Sequence, residues 1–203
     1  MSFARTIRLT LIVRTALMAL AVSACGDGSG PGSAEESPPN IVLIYIDDLG
    51  WNDLGVQGST YYETPNVDRL AAEGMRFTNA YANAPNCAPS RAALMSGQYA
   101  PRTGVYTVAS AARGDAANRR LVPVQNRLDL DLGVATLAES LQEAGYTTGH
   151  AGKWHLGGDG SLPTDHGFDW SVAGNAAGSP PGYFYPYERN GRQIPGLEEG
   201  EEG

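Results

Sequence analysis

The chain has 203 residues, with 14 lysines and arginines against 22 acidic residues and a net charge of −8. Since the first 24 residues carry three arginines and no acid, the remainder has 11 basic and 22 acidic residues, a net charge of −11. Nucleic-acid binding needs a concentration of positive charge, so we expect no nucleic acid as a partner. A small anionic substrate is compatible with this balance, because a local cluster of basic side chains can override the net charge.

Residues 1–24 form a predicted export signal. Arg5, Arg8 and Arg14 precede the apolar run ALMALAVSA, which is too short to span a bilayer, for which about 20 apolar residues are needed. Small residues stand directly before Cys25, a pattern that resembles a bacterial lipobox, in which this cysteine is acylated. We therefore expect an exported lipoprotein of the bacterial cell envelope, membrane-anchored in the periplasm or at the cell surface. An ordinary secretory signal with an incidental cysteine is the alternative.

Residues 25–39, rich in Gly, Ser and Pro, predict a flexible linker. The rest of the chain, residues 40–203, forms one predicted domain. Its opening run NIVLIYI is apolar throughout and predicts a strand buried on both faces of a parallel sheet. The run ends in Asp47 and Asp48. Placing two carboxylates at the end of a buried strand costs free energy unless they are paired or bind a cation. The ends of parallel strands are also where open α/β sheets bind ligands.

Helices and strands are predicted to alternate along this domain. Thr64 is placed to cap a helix that ends at Gly74, and the alternating MRFTNAYA after it predicts a strand. A second helix is predicted in SRAALMSG, which puts Cys87 at a helix N-terminus, where backbone N–H groups favour anions. A third is predicted in GVATLAESLQEAG, with Leu137 and Leu141 facing inward. This order predicts an α/β fold with a largely parallel sheet and helices on both faces.

The segment YTTGHAGKWHLG predicts a strand that runs into a loop. Lys153 and His155 are two residues apart, so on extended backbone they share one side. Arg91 lies one helical turn after Cys87 and therefore near the same face. Beyond Gly157 the abundance of Gly, Pro and aromatic residues predicts irregular structure with short strands.

Each of these features has an ordinary structural interpretation when it is taken alone. The paired aspartates could form a solvated turn, and a lone cysteine is more often inert and buried than nucleophilic. The GKWHLG stretch could be a turn with a packed tryptophan. Together they supply two carboxylates for a hard cation, an unpaired cysteine at a helix start, and three basic or proton-carrying side chains. That combination is the equipment for cleaving an anionic ester.

The stretch C-A-P-S-R, Cys87 to Arg91, with the trailing ALMSG, resembles the sulfatase signature C-x-P-S-R. The segments IVLIYIDDLGW, TPNVDRLAAEGMRFTNAYA, AGKWHLG and HGFD resemble those that surround this signature, in the same order, across roughly residues 39–190. The resemblance implies a formylglycine-dependent sulfatase of the alkaline phosphatase superfamily, with the alkaline-phosphatase-like sulfatase fold. Because sulfatases are normally more than twice this length, we expect residues 40–203 to be the N-terminal portion of a catalytic domain, with an incomplete sheet.

The resemblance also implies cofactors and a partner. In this family the signature cysteine is oxidised to formylglycine by a formylglycine-generating enzyme, which is therefore an expected partner. Carried over by position, Asp47 and Asp48 would bind Ca²⁺ or Mg²⁺, which prefer oxygen ligands. Modified Cys87 would be both a metal ligand and the nucleophile, and Arg91 would hold it and balance charge.

Two further residues are implied to act on the substrate, a carbohydrate or aryl sulfate ester. Lys153 would bind the sulfate oxygens. His155 would hydrogen-bond a formylglycine hydroxyl and help to break down the sulfated intermediate. We interpret Ser90 as part of the recognition site for the modifying enzyme, and His166 as structural.

Two other functions stay open. One is a phosphonate monoester hydrolase or phosphodiesterase of the same superfamily. The other is a truncated, non-catalytic, lipid-anchored module. The family's remaining metal ligands, an Asp-Asn pair, have no matching segment before Gly203, nor do a further lysine and histidine around the sulfate. We therefore expect the 203-residue chain alone to have little activity and poor stability.

Overall fold

The computed structural model of the chain describes residues 37–184, 187–189, 192–194 and 197. The predicted signal and most of the predicted linker lie outside the described residues. The chain divides into two units, Met1–Tyr45 and Ile46–Gly203, and the described residues of the first, 37–45, have no regular secondary structure. Within the described ranges, no helix has the length and apolar character needed to cross a bilayer.

The described residues of the second unit form four α-helices: α1 (Pro65–Glu73), α2 (Cys87–Ser96), α3 (Ala100–Thr103) and α4 (Leu137–Glu143). Pro65 starts α1, where its missing N–H costs nothing. Gly97 ends α2 in the left-handed conformation, with φ of 64°, which glycine adopts without steric cost. Thr136 and Glu139 cap α4 with reciprocal side-chain to backbone hydrogen bonds. The three predicted helices are confirmed.

Short strands lie late in the chain: one in the segment YTTGHAGKWHLG, as predicted, and the others beyond Gly157, where irregular structure with short strands was predicted. Strands β1 (Gly149–Ala151) and β2 (Trp170–Val172) pair in parallel, with Gly149 opposite Trp170. Strands β3 (Glu188–Arg189) and β4 (Arg192–Gln193) form an antiparallel pair. The connection between β1 and β2 contains Lys153, His155 and a 3₁₀ turn, Pro163–His166. A parallel pair therefore holds both ends of the loop that carries two predicted site residues.

Two predicted strands are not formed. Residues 40–46 are assigned no strand, and their apolar side chains are exposed, Val42 by 84%. A strand buried on both faces needs neighbouring strands and covering layers, and the exposure shows that the side chains have no such cover here. The segment 75–82 is also irregular, with Met75, Phe77 and Tyr81 exposed. Alternation of apolar residues was not sufficient to place a strand there.

The core is small and lies where α2 meets the segment that follows β1. Its cluster of buried side chains comprises Ala88, Ala92, Val105, Leu130, Trp154 and Leu156. Trp154, which is 1% exposed, packs edge-on against Phe168 with ring centroids 6.2 Å apart. On α4 the buried residue is Ala138, while Leu137 is 39% exposed, so the prediction that Leu137 faces inward is wrong. The core fixes the start of α2 and residues 153–156 relative to each other.

Candidate active site

Cys87 is the first residue of α2 and its thiol is free and half-buried. The predicted position at a helix N-terminus is therefore confirmed. Residues 88–93, directly after it, are all buried, so the start of the helix is held firmly while Cys87 stays partly accessible. The preceding Asn86 does not cap the helix with its side chain; its amide nitrogen donates to Thr107 Oγ1 at 3.0 Å.

Asp47, Arg91 and Lys153 come together in one charged cluster. The Lys153 ammonium donates a hydrogen bond to Asp47 Oδ2, and Arg91 Nη2 lies 3.8 Å from the same oxygen. Arg91 is 7% exposed, and its Nη1 donates to the backbone carbonyl of Lys153 at 2.5 Å. Arg91 and Lys153, which lie 44 and 106 positions after Asp47 in the chain, thus both approach its carboxylate. Arg91 lies on α2, one turn after Cys87.

The cluster keeps Asp47 ionised. Partial burial raises the pKa of this carboxyl, but the hydrogen bond and charge of Lys153, the charge of Arg91 and the backbone N–H of Asp48 together hold the pKa below its usual value. A carboxylate that stays charged in this way can act as a ligand for a cation.

His155 lies beside this cluster. Burial, together with the positive charges of Lys153 and Arg91, lowers the pKa of His155, against the opposing charge of Asp47. The residue has a left-handed backbone, with φ of 59°, so the prediction of extended backbone at this position is wrong. The strand ends at Ala151, and the irregular turn still leaves the imidazole within electrostatic range of Lys153.

The loop after β2 positions His155, which the sequence did not indicate. The backbone N–H of His155 donates to the carbonyl of Asn175 at 3.0 Å. Gly178 lies against the ring, since a Cβ built there would come within 2.7 Å of His155 Cε1. Among the described residues, His155 Nδ1 is buried and has no hydrogen-bond partner. These contacts join residues about 20 positions apart through irregular loops, for which sequence patterns give no signal.

His166 is structural, as predicted, and the structure supplies the partners that the sequence did not. It is fully buried, and its Nε2 lies 2.9 Å from Ser161 Oγ. Thr136 Oγ1 donates to the His166 carbonyl at 2.7 Å. Trp154 Nε1 donates to the Ser161 carbonyl at 2.7 Å. These bonds fix the loop 157–161 against the core.

Asp48 follows Asp47 but is exposed, with a left-handed backbone of φ 55°. Carboxylate oxygens suit Ca²⁺ or Mg²⁺, and Ca²⁺ takes about six to eight oxygen ligands. The described residues contain no cluster of three or more Asp, Glu, His or Cys side chains that could hold a metal ion. Asp47 and Asp48 therefore fit a hard cation in chemistry but supply only part of a ligand set.

A pocket of about 560 Å³ opens beside His155. It is lined by His155 and by Ala88, the residue after Cys87. Its other walls come from the glycine-rich loop 157–161 and from the segments around residues 107–109 and 128–129. The volume is in the usual range for small-molecule sites, about 300–1,000 Å³.

Comparison with known proteins identifies the family. The family model described as Sulfatase matches residues 39–191. Among curated relatives, the N-acetylgalactosamine-6-sulfatase of Canis lupus familiaris is 42% identical over 178 residues, which is 85% of this chain and 31% of that protein. The arylsulfatase A of Bos taurus is 46% identical over 140 residues, 68% of this chain and 25% of that protein.

A solved structure, Ps i-CgsB, matches with a TM-score of 0.57 and 35% identity, over 74% of this chain and 31% of that chain. Another structure of it, in complex with k-i-k-neocarrahexaose, matches with a TM-score of 0.52. These neighbours confirm the predicted α/β fold class, of which the described chain forms a part. The chain spans about three-tenths of the length of the curated relatives. It belongs to the sulfatase family.

Proposed function

We propose that the full-length protein containing this chain hydrolyses sulfate esters, with Cys87 converted to formylglycine as the nucleophile and Asp47 and Asp48 as ligands of a divalent cation, Ca²⁺ or Mg²⁺. The observation that carries this proposal is the contact of Asp47, Arg91 and Lys153 beside the helix that begins at Cys87. Family membership supports it, because sulfatases generally depend on formylglycine and a divalent cation. The formylglycine-generating enzyme is the partner that this modification requires.

The hydrate of the formylglycine aldehyde would supply a hydroxyl that attacks the sulfur of the ester as the bond from sulfur to the alcohol oxygen breaks and the alcohol leaves. Asp47 and Asp48 would hold the cation, whose positive charge would favour the ionised form of that hydroxyl. Lys153 would bind the sulfate oxygens, since its ammonium is a compact point charge with three donors. Arg91 is buried and held by the carbonyl of Lys153, so it provides a positive charge in a fixed position. A charge that needs no reorientation stabilises a developing anion most effectively.

His155 would accept the proton of a formylglycine hydroxyl as the sulfated intermediate breaks down. Its lowered pKa favours the neutral imidazole at neutral pH, and a neutral imidazole can accept a proton and later return it. The contacts with Asn175 and Gly178 orient the ring.

The substrate we propose is a sulfated carbohydrate. The canine relative is an N-acetylgalactosamine-6-sulfatase, and a solved relative is in complex with k-i-k-neocarrahexaose. The pocket beside His155 is large enough for a sugar residue. An aryl sulfate would serve as a convenient substrate in assays.

We further propose that the protein is exported and anchored by lipid on Cys25 to a membrane of the bacterial cell envelope. The arginines, the short apolar run and the small residues before Cys25 support this localisation. Metabolic labelling with a radioactive fatty acid tests it. Label in the wild type and its loss in Cys25→Ser are expected, and an unlabelled wild type would point to an ordinary secretory signal.

Activity is tested with the full-length protein produced together with the formylglycine-generating enzyme. Release of sulfate from an aryl sulfate is expected for the wild type, none for Cys87→Ala, and a decrease of about 10²-fold for Lys153→Ala. Faster turnover of a phosphate diester with the same leaving group would favour the phosphodiesterase alternative. Turnover of neither ester, with Cys87 modified, would favour the non-catalytic module.

A further inference from the structure

The residues that line the pocket beside His155 indicate which kind of alcohol the sulfate ester would carry. Ala88, the neighbour of Cys87, and His155 both line this pocket. Lys153, the proposed sulfate ligand, does not line it. An ester whose sulfate is held at Lys153 and whose sulfur faces residue 87 would therefore direct its alcohol into this pocket. The point rests on the function proposed above.

Two acidic residues, Asp129 and Asp159, line the pocket, and among the described residues no lysine or arginine does. Asp129 forms an ion pair with Arg127, whose Nη2 lies 3.1 Å from Asp129 Oδ2. Within the described part of the chain, Asp159 makes no ion pair. The pocket therefore presents negative charge to whatever enters it.

Small residues, including Gly157, Gly158 and Ala176, also line the pocket, together with the larger apolar side chain of Leu128. Among the described residues, no Phe, Tyr or Trp lines it. The hydroxyls of a sugar could donate charge-assisted hydrogen bonds to the carboxylates of Asp129 and Asp159.

The pocket is preformed. Ser161, at the end of the loop 157–161, donates its N–H to Gly158 at 2.7 Å and accepts the Trp154 indole N–H at its carbonyl. Its hydroxyl also contacts the carbonyl of Leu156 at 3.1 Å and the ring of His166. These bonds tie the backbone of the loop that carries Asp159 to the buried tryptophan.

We propose that this pocket is the leaving-group subsite, and that Asp159, assisted by Asp129, selects an uncharged sugar over one linked to a carboxylate-bearing sugar. A neutral hexose or N-acetylhexosamine places only hydroxyl and amide groups there. A uronic acid joined to the sulfated sugar would bring a third carboxylate close to two others, and like charges in a partly enclosed site repel strongly.

The experiment uses the full-length, modified enzyme and two substrates: a monosulfated N-acetylhexosamine, and the same sugar joined to a uronic acid. The measured quantity is the ratio of kcat/KM for the neutral substrate to that for the acidic one. We expect a ratio of about ten or more for the wild type, reduced roughly threefold by Asp159→Asn and further by Asp159→Lys. Salt at 1 M should reduce the wild-type ratio as well.

Asp131→Asn is the matched control for Asp129→Asn. Both carboxylates pair with Arg127, Asp131 at 2.7 Å, but Asp131 does not line the pocket. The ratio should fall in Asp129→Asn and stay within about twofold of the wild type in Asp131→Asn.

The outcomes separate the two proposals. A ratio that no pocket variant changes, in enzymes that still cleave the neutral substrate, overturns the subsite and leaves the sulfatase function intact. A wild-type enzyme that prefers the uronic-acid substrate also overturns the subsite. Failure of the modified wild type to cleave any sulfate ester overturns the proposed function, and the subsite with it.

Discussion

Replacing Gly178 with alanine is expected to displace His155 and to reduce activity severely. A Cβ at residue 178 would lie 2.7 Å from Cε1 and 2.8 Å from Nε2 of the imidazole. Carbon atoms in contact prefer separations of about 3.5–4.0 Å. The ring and the loop must therefore move apart by about 1 Å.

His155 cannot absorb this movement freely. Its N–H is bound to the Asn175 carbonyl at 3.0 Å, in the same loop as Gly178. Misplacing a catalytic group by about 1 Å can cost about 10²-fold in rate, so we expect kcat/KM for an aryl sulfate to fall about 10²-fold. Overpacking should cost only about 1–3 kcal/mol of stability, and the protein should stay folded at room temperature.

The assay compares Gly178→Ala with Gly182→Ala in the full-length, modified enzyme. A Cβ at residue 182 would have no neighbour closer than 3.5 Å among the described atoms, which is an ordinary contact. The control should therefore keep wild-type activity. If the two variants have the same kcat/KM within twofold, the reasoning that Gly178 positions His155 is refuted.

Three other predictions concern the core, the pH dependence and the cation. Trp154→Ala removes a side chain that is 1% exposed and should lower the free energy of unfolding by about 3–5 kcal/mol in urea titrations; a loss below 1 kcal/mol would contradict the assigned core. Burial lowers the pKa of His166, against the opposing charges of Glu139, Asp165 and Asp129, so the unfolded state binds more protons and stability should decrease as pH falls through about 6.5. His166→Asn should make this dependence shallower, and an unchanged slope would refute the assignment. EDTA should abolish sulfate release, and added Ca²⁺ or Mg²⁺ should restore it; full activity in EDTA would argue against the cation.

The sequence predicted the elements whose signals are local. Pro65 and Gly97 fix a helix start and a helix end by their own backbone preferences, and both helices were found. The site residues were named because their chemistry and order match a family. Contact of Asp47, Arg91 and Lys153 could be expected from that match, and the structure shows it.

Other features depend on partners distant in the chain, and the sequence could not specify them. The run 40–46 has the composition of a buried strand, yet its side chains are exposed, because burial depends on what packs around a strand. His155 was predicted on extended backbone, but its contacts with Asn175 and Gly178 accompany a left-handed turn. Asp129 and Asp159 have no motif around them, and only the fold brings them into one pocket.

The central claim is that Cys87 is converted to formylglycine, and mass spectrometry tests it most directly. The full-length protein is produced with the formylglycine-generating enzyme, and its tryptic peptide 77–91 is measured beside the same peptide from cells without that enzyme. We expect a mass in which the sulfur of Cys87 is replaced by the oxygen of an aldehyde. An intact thiol that can be alkylated, in cells that modify another sulfatase, would contradict the account.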